Sequence, residues 1–233
     1  INNQLYALDK LTGRILWLSS ATPKIAGIFG VGSAAATERN IIVVPYSSGE
    51  LFAVNSNNGD VLWSDILVKP SLDALEFAFT DIDTTPIIKN DIVYSVSYQG
   101  LLVANNLISG ARLWEREIAT NQTPWLAGDY LYIITKNKQL AAIHRYDGRI
   151  RWFYDLAKDI KPKKARKITF SGPVMFNDEV TVVSSAGKLL FFNAENGELT
   201  NSKKIAKNIY QQPIAANGNL YLLSKAARLY KIF

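Results

Sequence analysis

The chain has 233 residues, 48% of them hydrophobic, with a formal charge of +6 and no cysteine. That hydrophobic share excludes a disordered chain, and the lack of cysteine excludes disulfides and thiolate chemistry. No apolar run approaches the roughly 18 residues of a membrane-spanning helix, and no signal peptide is visible.

In chain order, five segments repeat. NNQLYALDKLTGRILW ends at Trp17, GELFAVNSNNGDVLW at Trp63, GLLVANNLISGARLW at Trp114 and KQLAAIHRYDGRIRW at Trp152. The fifth, GKLLFFNAENGELTN, has Asn201 where tryptophan is expected, with Phe191 and Phe192 on the preceding strand as partial compensation. A sixth copy starts at Ala227 (ARLYKIF). The turn glycines Gly13, Gly59, Gly110, Gly148 and Gly197 lie 46, 51, 38 and 49 residues apart, the length of a four-stranded propeller blade.

Each repeat reads as four strands. A first strand follows a proline or small residues, as at Thr85–Ile88, Thr123–Leu126, Gly172–Met175 and Gln212–Ala215. A polar turn precedes an alternating second strand, as at Ile92–Val96, Tyr130–Ile134 and Leu220–Leu223. An Asx-rich turn with glycine joins the third strand to the fourth, because Asn and Gly tolerate positive φ. The expected fold is an all-β propeller of four-stranded antiparallel blades, about five blades plus a part-blade. As one partial propeller over 1–233, its approximate blades are 1–19 (a part-blade), 30–66, 82–118, 122–155, 168–203 and 210–233. The chain begins inside a repeat and breaks off inside another, so it is expected to belong to a longer protein carrying any targeting segment.

Trp17, Trp63, Trp114 and Trp152 read as plates docking between neighbouring blades, each needing a partner for its N–H. The competing reading, a cofactor box, fits a single occurrence better than one per repeat. The basic run Lys158 to Lys167 (KDIKPKKARK) reads as a solvated surface loop or as a contact for anionic lipid head groups or an acidic partner. No motif accompanies it that would point to nucleic acid.

Candidates for chemistry are few. His144 is the one histidine, so no His/Cys zinc site can be assembled around it. There is no G-x-S-x-G nucleophile elbow. Gly27, Gly30 and Gly32 are spaced glycines without the strand–helix setting of a phosphate loop.

The pattern A-x-(D/N)-x-x-x-G-x-x-x-W resembles the tryptophan-docking repeats of quinoprotein-type propellers. The run Asp81-Ile82-Asp83-Thr84-Thr85-Pro86 with IIKNDIVYSVSYQGLLVANNLISGARLWEREI, and QQPIAANGNLYLLSKAARLYKIF at the end, resembles the BamB family over essentially the whole chain. The resemblance implies an eight-bladed propeller with an N-terminal lipid anchor. It also implies a non-catalytic scaffold of the outer-membrane β-barrel assembly complex, at the periplasmic face of the outer membrane of a Gram-negative bacterium. Its implied partner is BamA, bound through the periplasmic POTRA domains. Unfolded outer-membrane protein segments could pair with exposed strand edges. No cofactor, metal or catalytic residue is implied.

Two loops carry the implied contact. One holds Asp81 and Asp83. The other, apolar and arginine-bearing in the family, falls on Gly27–Val31 and keeps Ile28 and Phe29 but lacks the arginine. Against this, Asp81 or Asp83 can serve merely to cap a turn, and Ile28 and Phe29 can simply be buried between blades. Two alternatives stand beside the scaffold. One is a quinoprotein dehydrogenase holding pyrroloquinoline quinone and calcium; the other is a generic periplasmic protein-binding propeller.

Overall fold

The computed structural model describes residues 3–22, 32–68, 82 and 84–233. The chain divides into two compact units, Ile1–Asn121 and Gln122–Phe233.

The first unit opens with the hairpin β1 (Gln4–Leu8) and β2 (Ile15–Ser20). Two four-stranded sheets follow. The first comprises β3 (Ala35–Ala36), β4 (Ile41–Pro45), β5 (Glu50–Asn55) and β6 (Val61–Ile66); the second comprises β7 (Ile87–Lys89), β8 (Ile92–Val96), β9 (Leu101–Asn106) and β10 (Arg112–Glu117). The second unit repeats the plan twice. Its sheets are β11 (Trp125–Ala127), β12 (Tyr130–Ile134), β13 (Gln139–His144) and β14 (Ile150–Asp155), then β15 (Phe170–Phe176), β16 (Glu179–Ser184), β17 (Lys188–Asn193) and β18 (Leu199–Lys204). A three-stranded sheet of β19 (Ile214–Ala216), β20 (Asn219–Leu223) and β21 (Leu229–Ile232) ends it. In every sheet, strands adjacent in sequence pair antiparallel.

The two central strands of a sheet are covered on both faces. Val93–Val96 and Leu101–Asn105 are buried without interruption, and so are Leu131–Ile134 and Leu140–Ile143. The alternation along such a strand therefore does not divide core from water; within a unit it sorts side chains between neighbouring sheets. In the second unit the parity is plain. Val180, Val182, Leu190 and Phe192 pack towards Tyr132, Leu140 and Trp152. Val183, Leu189 and Phe191 pack towards Leu220 and Leu222. In the first unit Val43, Leu51 and Trp63 meet Val93, Leu101 and Val103 in the same way. The outer strands β6, β10 and β14 each bury one residue, the tryptophan. Strand β18, with Asn201 in that place, is exposed throughout.

The basic run lies at the surface, as expected of a solvated loop. It forms one helical turn, α1 (Pro162–Ala165), with proline early in the turn where a missing N–H costs nothing. No residue of α1 is buried, but Ile160 before it and Ile168 after it pack on the core. Lys138 Nζ donates to the Ala165 carbonyl.

Candidate functional site

The repeat turn builds a recurring joint. Residues Asp9, Asn55, Asn106 and Asn193 each begin a turn closed by the glycine four residues later. The bonds are Gly13 N to Asp9 O (2.8 Å), Gly59 N to Asn55 O (2.8 Å), Gly110 N to Asn106 O (2.9 Å) and Gly197 N to Asn193 O (2.9 Å). The Asx side chains also accept main-chain N–H groups, as when Asn106 Oδ1 takes Ile108 N at 3.0 Å and Ser109 N at 2.9 Å. In the fourth repeat His144 occupies the Asx position, and its carbonyl accepts Gly148 N at 2.8 Å. Its Nδ1 lies 2.8 Å from Asp147 Oδ1, so the histidine is a turn residue. The Arg149 N–H, then His144, hold the Asp147 carboxyl below its ordinary pKa.

Three of the docked tryptophans, Trp17, Trp63 and Trp152, meet the glycine turn of the next repeat. Trp17 Nε1 donates to Ser56 O (3.0 Å), Trp63 Nε1 to Leu107 O (2.7 Å) and Trp152 Nε1 to Ala194 O (3.0 Å). The rings lie against the glycines: a Cβ on Gly110 would stand 2.6 Å from Trp63 Cγ, and one on Gly197 2.5 Å from Trp152 Cδ2. Both glycines also have φ above +70°, so backbone and space demand the same residue there. Trp114 is buried and tilts 42° against Tyr94 with ring centroids 6.0 Å apart; Trp152 makes nearly the same contact with Tyr132. This is packing geometry, and it uses the indole N–H groups of Trp17, Trp63 and Trp152.

Asp81, Asp83, Ile28 and Phe29 lie outside the described residues. Their flanks do not. Gly32 N donates to the carbonyl of Ile82 (3.2 Å), and Ile82 N to the carbonyl of Tyr46 (3.4 Å). A Cβ on Gly32 would collide with the Thr84 carbonyl. Ile82 is fully buried in the core, and Thr84 Oγ1 donates to Val96 O (3.1 Å). The end of one implied contact loop is thus bonded to the middle of the other. Nothing in the sequence marked Gly32 and Ile82 as partners, because the bond is main-chain to main-chain across 50 residues.

A charged clamp was equally unmarked. Arg112 on β10 grips Asp65 on β6 with Nε at 3.1 Å and Nη2 at 2.6 Å, and Asn105 Nδ2 on β9 donates to the same carboxylate at 2.8 Å. Burial opposes ionisation of Asp65, but Arg112 and Asn105 outweigh it and hold the carboxyl below its ordinary pKa. The clamp joins two adjacent sheets.

Among the described residues no three His, Cys, Asp or Glu gather as metal donors, and the chain has no cysteine for a quinone-covering disulfide. No described helix is long and apolar enough to cross a membrane.

Known proteins resemble this chain. The outer membrane protein assembly factor BamB of Moranella endobia is 27% identical over 213 residues, covering 91% of this chain and 53% of that protein. The one of Escherichia coli K12 is 27% identical over 202 residues, covering 86% and 49%. The chain thus spans about half the length of these relatives. The crystal structure of BamB from Moraxella catarrhalis superimposes with a TM-score of 0.84 at 17% identity, over 99% of this chain and 66% of that one. That likeness shows the fold, an all-β propeller of four-stranded antiparallel blades, of which this chain is a part. A family model described as outer membrane protein assembly factor BamB matches residues 1–154, well over half of the chain. The chain belongs to the BamB family of outer membrane protein assembly factors.

Proposed function

We propose that this chain is a non-catalytic scaffold in outer-membrane protein assembly, working at the periplasmic face of the outer membrane and binding the POTRA domains of BamA. The contact is assigned to the Asp81/Asp83 loop and the Ile28/Phe29 loop. The carboxylates accept hydrogen bonds from Arg or Lys, and the apolar pair fills the centre of the patch. The observation that carries this reading is the Gly32–Ile82 main-chain bond, which ties the end of one loop to the buried middle of the other. Family membership supplies the assembly role, and the docked tryptophans explain the repeat without any cofactor.

The test is a pull-down with the periplasmic part of BamA using Asp81→Arg with Asp83→Arg. Binding is expected to weaken about tenfold or more, since acceptors become like charges facing a basic partner. Undiminished binding by a folded double variant sinks the assignment.

A further inference from the structure

The unit Gln122–Phe233 holds 18 of the chain's 26 Lys and Arg but only 8 of its 20 Asp and Glu. Its antiparallel sheets give it two ends, and the charge is divided between them. One end is made by the β12–β13, β16–β17 and β20–β21 turns and by the segments after β14 and β18. Residues 135–139, 155–169, 184–188, 203–212 and 224–229 there contain fourteen Lys or Arg against Asp155 and Asp159. The turns at the other end, residues 126–131, 143–151, 176–180 and 193–199, contain three cations against six carboxylates.

Main-chain bonds knit the basic end together. Leu156 N donates to Lys138 O (3.0 Å), Ser185 N to Thr169 O (2.9 Å), Asn208 N to Ser185 O (2.9 Å) and Lys225 N to Asn208 O (2.9 Å). A six-residue strand separates the two ends by about 20 Å, over twice the roughly 8 Å screening length at physiological salt. The acidic end therefore does not neutralise the basic one. Within the basic end, α1 is displayed outward by its two isoleucine anchors and the Lys138 bond. Among the described residues none of Lys161, Lys163, Lys164, Arg166 and Lys167 forms an ion pair.

We propose that this end of the unit docks on a bilayer surface bearing anionic phospholipid. Three features favour a lipid surface over an acidic protein. The cations are spread over three successive sheets instead of converging on one cleft, which suits an extended layer of charge. Twelve of the fourteen are lysine, a flexible point charge; recognition of fixed carboxylates favours the planar fork of arginine. Tyr210, half exposed beside this cluster, has the amphipathic ring that suits a membrane interface. A single-stranded nucleic acid would need a row of stacking platforms, and these basic segments contain a single aromatic, Tyr210. This inference uses the second unit alone and is independent of the proposed BamA contact.

The experiment is co-sedimentation of the protein with phosphatidylcholine vesicles containing none or about 30 mol% phosphatidylglycerol. Binding is expected only to the anionic vesicles and should disappear at several-fold higher salt. Each lysine removed should weaken partition about fivefold, so Lys161, Lys163, Lys164 and Lys167 changed together to Gln should cost on the order of a hundredfold or more. Arg149→Gln with Arg151→Gln, at the acidic end, should leave it within about twofold. If the quadruple variant fails to fold, Lys163→Gln and Lys164→Gln singly, both on exposed positions of α1, read the same dependence. Binding to neutral vesicles, no binding to anionic ones, or equal loss in the acidic-end control overturns the proposal. So does stronger binding to polyglutamate than to vesicles of equal charge, which would make this a surface for acidic protein. Competition by millimolar inorganic phosphate would mark a discrete anion pocket and overturn it too.

Discussion

Gly197→Ala isolates the tryptophan joint. Gly197 has φ of +75°, and the Trp152 ring stands where a Cβ would go, with Cδ2 at 2.5 Å. The backbone part of the cost is that of a non-glycine residue in the left-handed region, about 1–2 kcal/mol. Overlap with the ring adds about 1–3 kcal/mol, whether the ring moves or the turn does. If the ring lifts away, the Trp152 Nε1 bond to Ala194 O is lost as well, a net loss of about 1 kcal/mol. The total is about 2–6 kcal/mol, the upper end applying if the ring lifts away. Gly128→Ala is the control in the same unit: its φ is +54°, and nothing lies within 4 Å of an added Cβ. It should cost only the backbone part. Urea unfolding of both variants and the parent, followed by circular dichroism and tryptophan emission, gives the difference directly. If Gly197→Ala is no more damaging than Gly128→Ala, the ring is not pressed on that glycine and the joint is misread.

Asp65→Asn should destabilise the protein by about 1–3 kcal/mol near neutral pH, because Arg112 loses the carboxylate that joins the two sheets and keeps only that of Glu115 on its own strand. Since the folded-state pKa of Asp65 is lowered, its contribution is fully present above the unfolded value of about 3.9 and is lost as pH falls through the folded one. The gap between parent and variant in urea unfolding should therefore narrow as pH falls below about 3.9, and a gap that stays constant throughout the acid range refutes the clamp. His144→Asn should change stability by less than about 0.5 kcal/mol, because Asn restores the acceptor that Asn106 and Asn193 supply in the same turn. A loss of several kcal/mol in thermal unfolding would show that the imidazole does something more than hold Asp147.

The sheets were legible because their determinants are local. An Asx–x–x–x–Gly turn needs positive φ at a known place, and apolar runs on either side of it have the length of strands. The exposure of β18 also follows from one position, since Asn201 offers no plate to bury. The Asp65–Arg112 clamp was not legible: the residues stand 47 positions apart, and neither W-S-D nor A-R-L-W carries a sign of charge pairing. The Gly32–Ile82 bond was hidden for a different reason, since main-chain groups bond without regard to side-chain identity. In Lys158–Lys167 composition concealed a helical turn, because its flanking isoleucines, not the lysines, hold it down.

The tryptophan joint also sets an order of events during synthesis. Trp17, Trp63 and Trp152 donate to carbonyls 39, 44 and 42 residues further along. As the chain leaves the ribosome, each of these three indoles waits about one repeat before its acceptor emerges, and its sheet is sealed from the C-terminal side. Blades of this kind can be gained or lost only in whole periods, because a partial deletion would strand one indole without a carbonyl and one glycine turn without a lid.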